Sequence, residues 1–204
     1  MKLTDRQEKL LSFVKEQHGD QVRKYTGEPY WHHVVAVAEI VSKYAPEGIE
    51  IALCHDLFED TSCDWIKVTE FLLTAGYDIR EAYDIHQGVT HLTDFFTPTA
   101  YPKMNRAERK SHEAIRLGRI PDLCQSVKYA DLINNTESIV KYDPGFAKKY
   151  LQEKIQILDK MRNGNINLLI DCCFTLKMAI LQLQVSQFDK DVLKNALIEL
   201  HPLL

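Results

Sequence analysis

Apolar positions recur every three or four residues along most of the chain. The 8 glycines and 7 prolines fall mainly between those stretches. This is the helical period rather than the alternation of a strand, and it predicts an all-α protein. Thr4, with Gln7 three residues on, is placed to cap a first helix whose inner face is Leu10, Leu11 and Val14. "RKYTGEPY" breaks the pattern as a loop. The period then predicts helices over about 30–44, 47–60, 64–75 and 79–90. "LTDFFTPTAYPKMN" carries two prolines and no clear period, so it reads as a long loop of the kind that serves as a lid or binding segment. Helices resume over about 106–117, 122–142, 145–162 and 166–185, with a short last one over 190–200. No repeat, low-complexity tract or shift of composition marks a boundary. Residues 1–204, at 45% hydrophobic composition, therefore read as one domain with a single core.

Charge narrows the functions open to such a bundle. A net charge of -4, from 25 basic and 29 acidic residues, gives no global basic field of the kind nucleic-acid binders carry. An anionic ligand would have to meet a local basic patch. Five cysteines without CxxC spacing, in a chain too large to need disulfide staples, suggest a reducing cytoplasm and ordinary packing. The amphipathic, charged start "MKLTDRQEKLLSFVKEQ" is not a secretory signal, and no apolar run approaches the roughly 20 residues a membrane span needs. The expectation is a cytoplasmic protein with no nucleic-acid or membrane partner. Residues 165–204 are apolar enough either to cap the core or to form a homo-oligomer surface.

One segment resists a purely structural account. "ALCHDLFEDTS" places His55, Asp56, Glu59 and Asp60 in a stretch that otherwise reads as buried helix, with no lysine or arginine beside them. At about 100° per residue, a continuous helix would set Glu59 near 40°, Asp56 near 100° and Asp60 near 140° from His55. All four would share one face, opposite Ile51, Cys54, Leu57 and Phe58. Three carboxylates so placed repel one another, and a cation would turn repulsion into attraction. Imidazole nitrogen with carboxylate oxygen suits manganese, iron or zinc. A solvated acidic face is the plain alternative, so further ligands are needed from elsewhere. "YWHHVVAVAEIV" offers His32 and His33, and "VKYADLINNTESIV" offers Asp131, Asn134 and Asn135 among apolar neighbours.

His33, the pair His55-Asp56 and the distal Asp131 follow the H...HD...D order of the HD superfamily of metal-dependent phosphohydrolases. Four segments in order, "RKYTGEPYWHHVVAVA", "ALCHDLFEDT", "GVTHLTD" and "VKYADLINNT", resemble the hydrolase domain of RelA/SpoT-type alarmone enzymes, from about residue 18 to residue 142. The chain is similar to the small stand-alone members. The resemblance implies an all-α HD-domain bundle of about nine or ten helices. It implies an enzyme that removes the 3′-pyrophosphate of guanosine tetra- or pentaphosphate, giving GDP or GTP and pyrophosphate. It implies one divalent ion, usually manganese, on His33, His55, Asp56 and Asp131, with Glu59 and Asp60 holding and activating the attacking water. Asn135 would contact the nucleotide's sugar or phosphate, and Arg23 with Lys24 the base or phosphates. The chain departs from the family pattern in a loop one residue longer between Arg23 and His33, in Asn134 where histidine is common, and in Tyr129 where leucine is common.

A polyanionic nucleotide needs cations, and "NRAERK" is the densest cluster, with Arg106, Arg109 and Lys110 on one face of a predicted helix. A solvated face beside Glu108 and Glu113 is the alternative. Lys128, three residues before Asp131, lies on the same side as the implied ligand. Tyr30 and Trp31 read as core closure before purine stacking, and the remaining histidines, among them His18, His86 and His201, receive no catalytic role. A related phosphohydrolase acting on an adenosine alarmone, a nucleoside monophosphate or NADPH stays open. So do a nucleotide sensor without turnover and a helical scaffold with neither metal nor nucleotide.

Overall fold

The computed structural model describes residues 1–200, Leu200 by its backbone alone; His201 lies outside the described residues. It is built of α-helices, and an isolated antiparallel bridge between Val22 and Pro29 joins the two sides of the loop ahead of the second helix. The chain divides into two compact units, Met1–Thr93 and Asp94–Leu204.

The first unit holds α1 (Asp5–His18), α2 (Trp31–Ser42), a 3-10 turn (Pro46–Gly48), α3 (Ile49–Cys54), α4 (Leu57–Asp60), α5 (Trp65–Ala75) and α6 (Ile79–Leu92). The capping box read at the start of the chain is present: the Thr4 hydroxyl accepts from the Gln7 amide and the Gln7 side chain accepts from the Thr4 amide. Leu10 and Val14 of α1, Val34, Val37, Ala38 and Val41 of α2, and Ala52, Leu53 and Leu57 are sealed from solvent together with Val68, Leu72 and Val89. The α2 face is apolar because four aliphatic residues fall at helical spacing, and it packs on α3.

The structure corrects one expected helix. Residues 47–60 do not form a continuous rod: α3 ends at Cys54, His55 and Asp56 form a turn, and α4 starts at Leu57. Asp56 sits at φ -99°, ψ 0°, the sparsely populated bridge region where active-site residues are found. His55, Asp56, Glu59 and Asp60 therefore do not share one helical face. The first two are set at a corner and the second two follow on a separate single turn.

The second unit holds α7 (Arg106–Leu117), α8 (Asp122–Tyr142), α9 (Pro144–Lys160), α10 (Ile166–Gln182) and α11 (Gln187–Leu200). Helix α8 packs against both α9 and α10, so Val127, Tyr129, Ala130, Leu132 and Thr136 are all enclosed. The expected long loop before α7 is present, and it is tied down. Buried Glu113 accepts from the amides of Phe95 and Phe96 at 3.2 and 3.1 Å and from the Arg116 guanidinium. Tyr129, in place of a common leucine, adds a hydrogen bond that leucine could not make. Its hydroxyl donates to the Met161 carbonyl at 2.8 Å, fastening the end of α9 to α8.

Gly164 follows that contact so closely that an added Cβ would lie 2.5 Å from Tyr129 Cε2 and 2.9 Å from the Ser126 amide nitrogen. Gly164→Ala must displace the α9–α10 connection or the Tyr129 ring. It is expected to cost about 1–3 kcal/mol of stability, read as a lower midpoint in denaturant unfolding.

The five cysteines are all buried, and they pack as thiols. Burial pushes the Cys124 and Cys173 thiols up to about 11, so they are un-ionised packing groups at neutral pH. Among the described residues no helix is long and apolar enough to cross a membrane.

Candidate metal centre

The first unit brings His33, His55 and Asp56 together. His33 is the third residue of α2 and is 1% exposed, whereas its neighbour His32 is on the outside. The choice between the two histidines thus follows the apolar stripe of α2, which carries His33 inward with Val34 and Val37. His55, 2% exposed, reaches the same spot from the corner after α3. Asp56 Oδ2 lies 3.1 Å from His55 Nε2 and 3.4 Å from His33 Nε2, and the two imidazole centroids are 5.1 Å apart.

The opposite edge of His55 defines what this cluster needs. Its Nδ1 is 2.8 Å from the Ala52 carbonyl oxygen, which can only accept. Nδ1 therefore carries hydrogen, and in the neutral ring Nε2 presents a lone pair to a carboxylate oxygen. Lone pair against anion at 3.1 Å is repulsive unless a cation, a proton or a metal ion, stands in common to both. A backbone carbonyl orienting the far nitrogen is the usual support of a metal-bound histidine. The spacing fits as well, since two donors each about 2.1 Å from an ion and at right angles to it are about 3 Å apart. The donor set matches a divalent ion of the manganese, iron or zinc type.

Burial by itself would push the Asp56 carboxyl up. The charge and hydrogen bonds of His55 and His33 outweigh it and hold Asp56 well below the usual carboxylate range. A third partner is a residue whose sequence position suggests core closure. The Tyr30 hydroxyl donates to Asp56 Oδ2 at 2.6 Å, and burial followed by the charges of Asp56 and Asp60 pushes its own ionisation far up, so it remains a donor. The signal for Tyr30 lies in its position, three residues before His33 and so about one turn away. Tyr30→Phe is expected to keep the fold and weaken divalent metal binding by about 10–100-fold, as measured by calorimetric titration of metal-free protein.

Glu59 and Asp60, on the single turn of α4, are exposed just beyond this buried corner. Ahead of α2 the loop doubles back on itself: the Arg23 amide donates to the Glu28 carbonyl, the Tyr30 amide to the Gln21 carbonyl, and Gly27 takes φ +71°. Lys24 is exposed, with its ammonium 4.8 Å from the centroid of Tyr25, and Arg23 is half-buried.

The second unit carries the other sequence candidates. Asp131, 5% exposed on α8, has Lys128 Nζ 2.8 Å from Oδ2 and accepts from the Asn135 amide on Oδ1 at 2.5 Å. Lys128 is thus on the Asp131 side of the helix, as its spacing predicts. The "NRAERK" side chains are engaged: Arg106 makes a two-pronged pair with Glu153 at 2.7 and 2.9 Å, Arg109 donates to the Met104 carbonyl, and Lys110 pairs with Asp94 at 2.7 Å. Lys154, which no periodicity distinguishes from a solvated helix lysine, stands half-buried in the same unit.

No family model matches the chain, and no curated protein sequence matches it. A solved structure of a metazoan ortholog of SpoT, described as hydrolysing ppGpp and playing a role in starvation responses, is similar at a TM-score of 0.70. The two share 20% sequence identity over 87% of this chain and 97% of that one. The expected all-α fold is present, and it is the fold of that ppGpp hydrolase.

Proposed function

We propose that this chain is a metal-dependent phosphohydrolase acting on guanosine 3′,5′-bis(diphosphate)-type alarmones, releasing pyrophosphate and GDP or GTP. His33, His55 and Asp56 would hold one divalent ion, manganese by the resemblance, and the H...HD...D order of the sequence adds Asp131 as the further ligand. The observation that carries the reading is the protonated Nδ1 of His55, which leaves Nε2 turned to Asp56 as an acceptor facing an anion. The likeness of fold to a ppGpp hydrolase supports the substrate class.

A divalent ion bound there supplies a lowered pKa for water and polarisation of a phosphorus centre. The remaining work falls to the chain. Tyr30 fixes Asp56 through its hydroxyl, and Ala52 fixes the His55 ring through its carbonyl. Glu59, exposed beside the buried corner, takes the proton of the attacking water on its carboxylate, with Asp60 as its partner. Arg23 and Lys24 of the preceding loop, Lys128, Arg109 and Asn135 are the proposed substrate contacts.

The reading is tested by product analysis. Purified protein with manganese is expected to convert guanosine tetraphosphate to GDP and pyrophosphate, resolved by anion-exchange chromatography. If that substrate stays intact while another nucleotide is dephosphorylated, the alarmone assignment fails and the hydrolase assignment stands. If no nucleotide is cleaved by metal-loaded protein, both fail.

A further inference from the structure

Inside the first unit a column of rings runs from the end of α1 to the His55–Asp56 corner. His18 stacks on Tyr30 with centroids 4.9 Å apart and planes 25° from parallel, Tyr30 meets His33 edge-on at 5.6 Å, and His33 meets His55 at 5.1 Å. His18 is 5% exposed. Its Nδ1 lies 2.8 Å from the side-chain oxygen of Gln21, which can only accept, so Nδ1 carries hydrogen and Nε2 is left with a lone pair. That Nε2 is enclosed, and among the described residues no group donates to it. Gln21 serves Tyr30 as well: its carbonyl accepts from the Tyr30 amide at 2.9 Å, and its own amide donates to the His18 carbonyl at 3.0 Å. One residue thereby holds the His18 ring through its side chain and the start of α2 through its backbone.

An enclosed polar atom without a partner lowers the stability of the fold, and an apolar side chain in the same space would avoid that cost. What imidazole adds is a flat ring whose plane is set by the hydrogen bond to Gln21 and which lies against the face of Tyr30. Tyr30 depends on such support. Its hydroxyl must stay 2.6 Å from Asp56 Oδ2, and a side chain keeps a fixed geometry only where packing locks its rotamer. We propose that His18 is a positioning residue: anchored by Gln21, its ring braces Tyr30 so that the Tyr30 hydroxyl stays on Asp56. The purpose of the brace, an Asp56 held ready for a divalent ion, rests on the proposed function; the brace itself does not.

The test uses full-length protein freed of metal with EDTA and carrying carbon-13 at the tyrosine Cζ atoms, whose NMR shift reports hydrogen bonding of each hydroxyl. The Tyr30 signal is the one missing from Tyr30→Phe. In His18→Leu that signal is expected to move toward the shift of a water-exposed tyrosine, and manganese binding, titrated calorimetrically, to weaken about tenfold, the low end of what losing a partner of a metal ligand costs. His18→Phe keeps a ring against Tyr30 and should hold both signal and affinity within a few-fold of wild type. His18→Asn, which keeps the donor to Gln21 but has no ring, replaces the leucine variant if that one does not fold. Because His18 acts through the Tyr30 hydroxyl, His18→Leu/Tyr30→Phe should bind manganese no more weakly than Tyr30→Phe alone. Added losses in the double variant, equal losses in His18→Leu and His18→Phe, or a Tyr30 signal indifferent to His18→Leu overturn the proposal. A signal that depends on His18 in a protein that binds no manganese defeats only the metal-centre reading. Manganese binding with a signal indifferent to His18 defeats only the brace.

Discussion

Asp56→Ala is expected to leave the purified protein without stoichiometric divalent metal and to lower nucleotide hydrolysis by about a thousandfold or more. The cause is local to the first unit. Asp56 Oδ2 is the point where three groups meet: Tyr30 Oη at 2.6 Å, His55 Nε2 at 3.1 Å and His33 Nε2 at 3.4 Å. Removing the carboxylate takes away the anion that makes two imidazoles a cation site rather than a repulsive pair. A bound ion contributes several kcal/mol to a phosphoryl transition state, and each ~1.36 kcal/mol is a factor of ten, which sets the expected loss. Asp56→Asn separates charge from shape. It can still accept from Tyr30, so its circular dichroism should match wild type, while elemental analysis after dialysis should show most of the metal gone. A full complement of metal in both variants would remove Asp56 from the ligand set and the hydrolytic mechanism with it.

How far the sequence reaches can be judged from the same corner. The motif register of the resemblance selects His33 over His32, and in the structure the apolar stripe of α2 carries His33 inward and leaves His32 exposed. The Thr4–Gln7 capping box is legible for a similar reason, since it is closed within one turn of chain. The interruption at His55 and Asp56 is not. "IALCHDLFED" contains no glycine or proline, and periodicity alone carries it through as one helix. What accompanies the break is in part tertiary, Asp56 held by Tyr30 26 residues earlier, and in part local, the His55 ring turned back on the Ala52 carbonyl three residues before it. Tyr30 reads as core for the same reason, because an aromatic beside an apolar helix does not show where its hydroxyl ends.

Glu59→Gln should have the complementary signature to Asp56→Ala, with metal retained and turnover nearly lost. Glu59 lies beyond the His55–Asp56 corner on α4 and is exposed, so it is not needed to fill the cluster and its replacement leaves no buried hole. Glutamine preserves length and hydrogen bonding but cannot take up a proton, so the loss measures proton acceptance rather than shape. A positioned general base contributes about 10²–10⁴-fold, and a fall of that size in kcat with a nearly unchanged KM is the expected result. Asp60 is a partner rather than a duplicate, because its charge also bears on the Tyr30 hydroxyl that holds Asp56. Asp60→Asn should therefore weaken metal binding somewhat as well as slowing turnover. If the two carboxylates act as a unit on one water, the double variant Glu59→Gln/Asp60→Asn will be little slower than Glu59→Gln alone. Fully additive losses would mean that each carboxylate acts separately. Undiminished turnover in Glu59→Gln would move the base elsewhere.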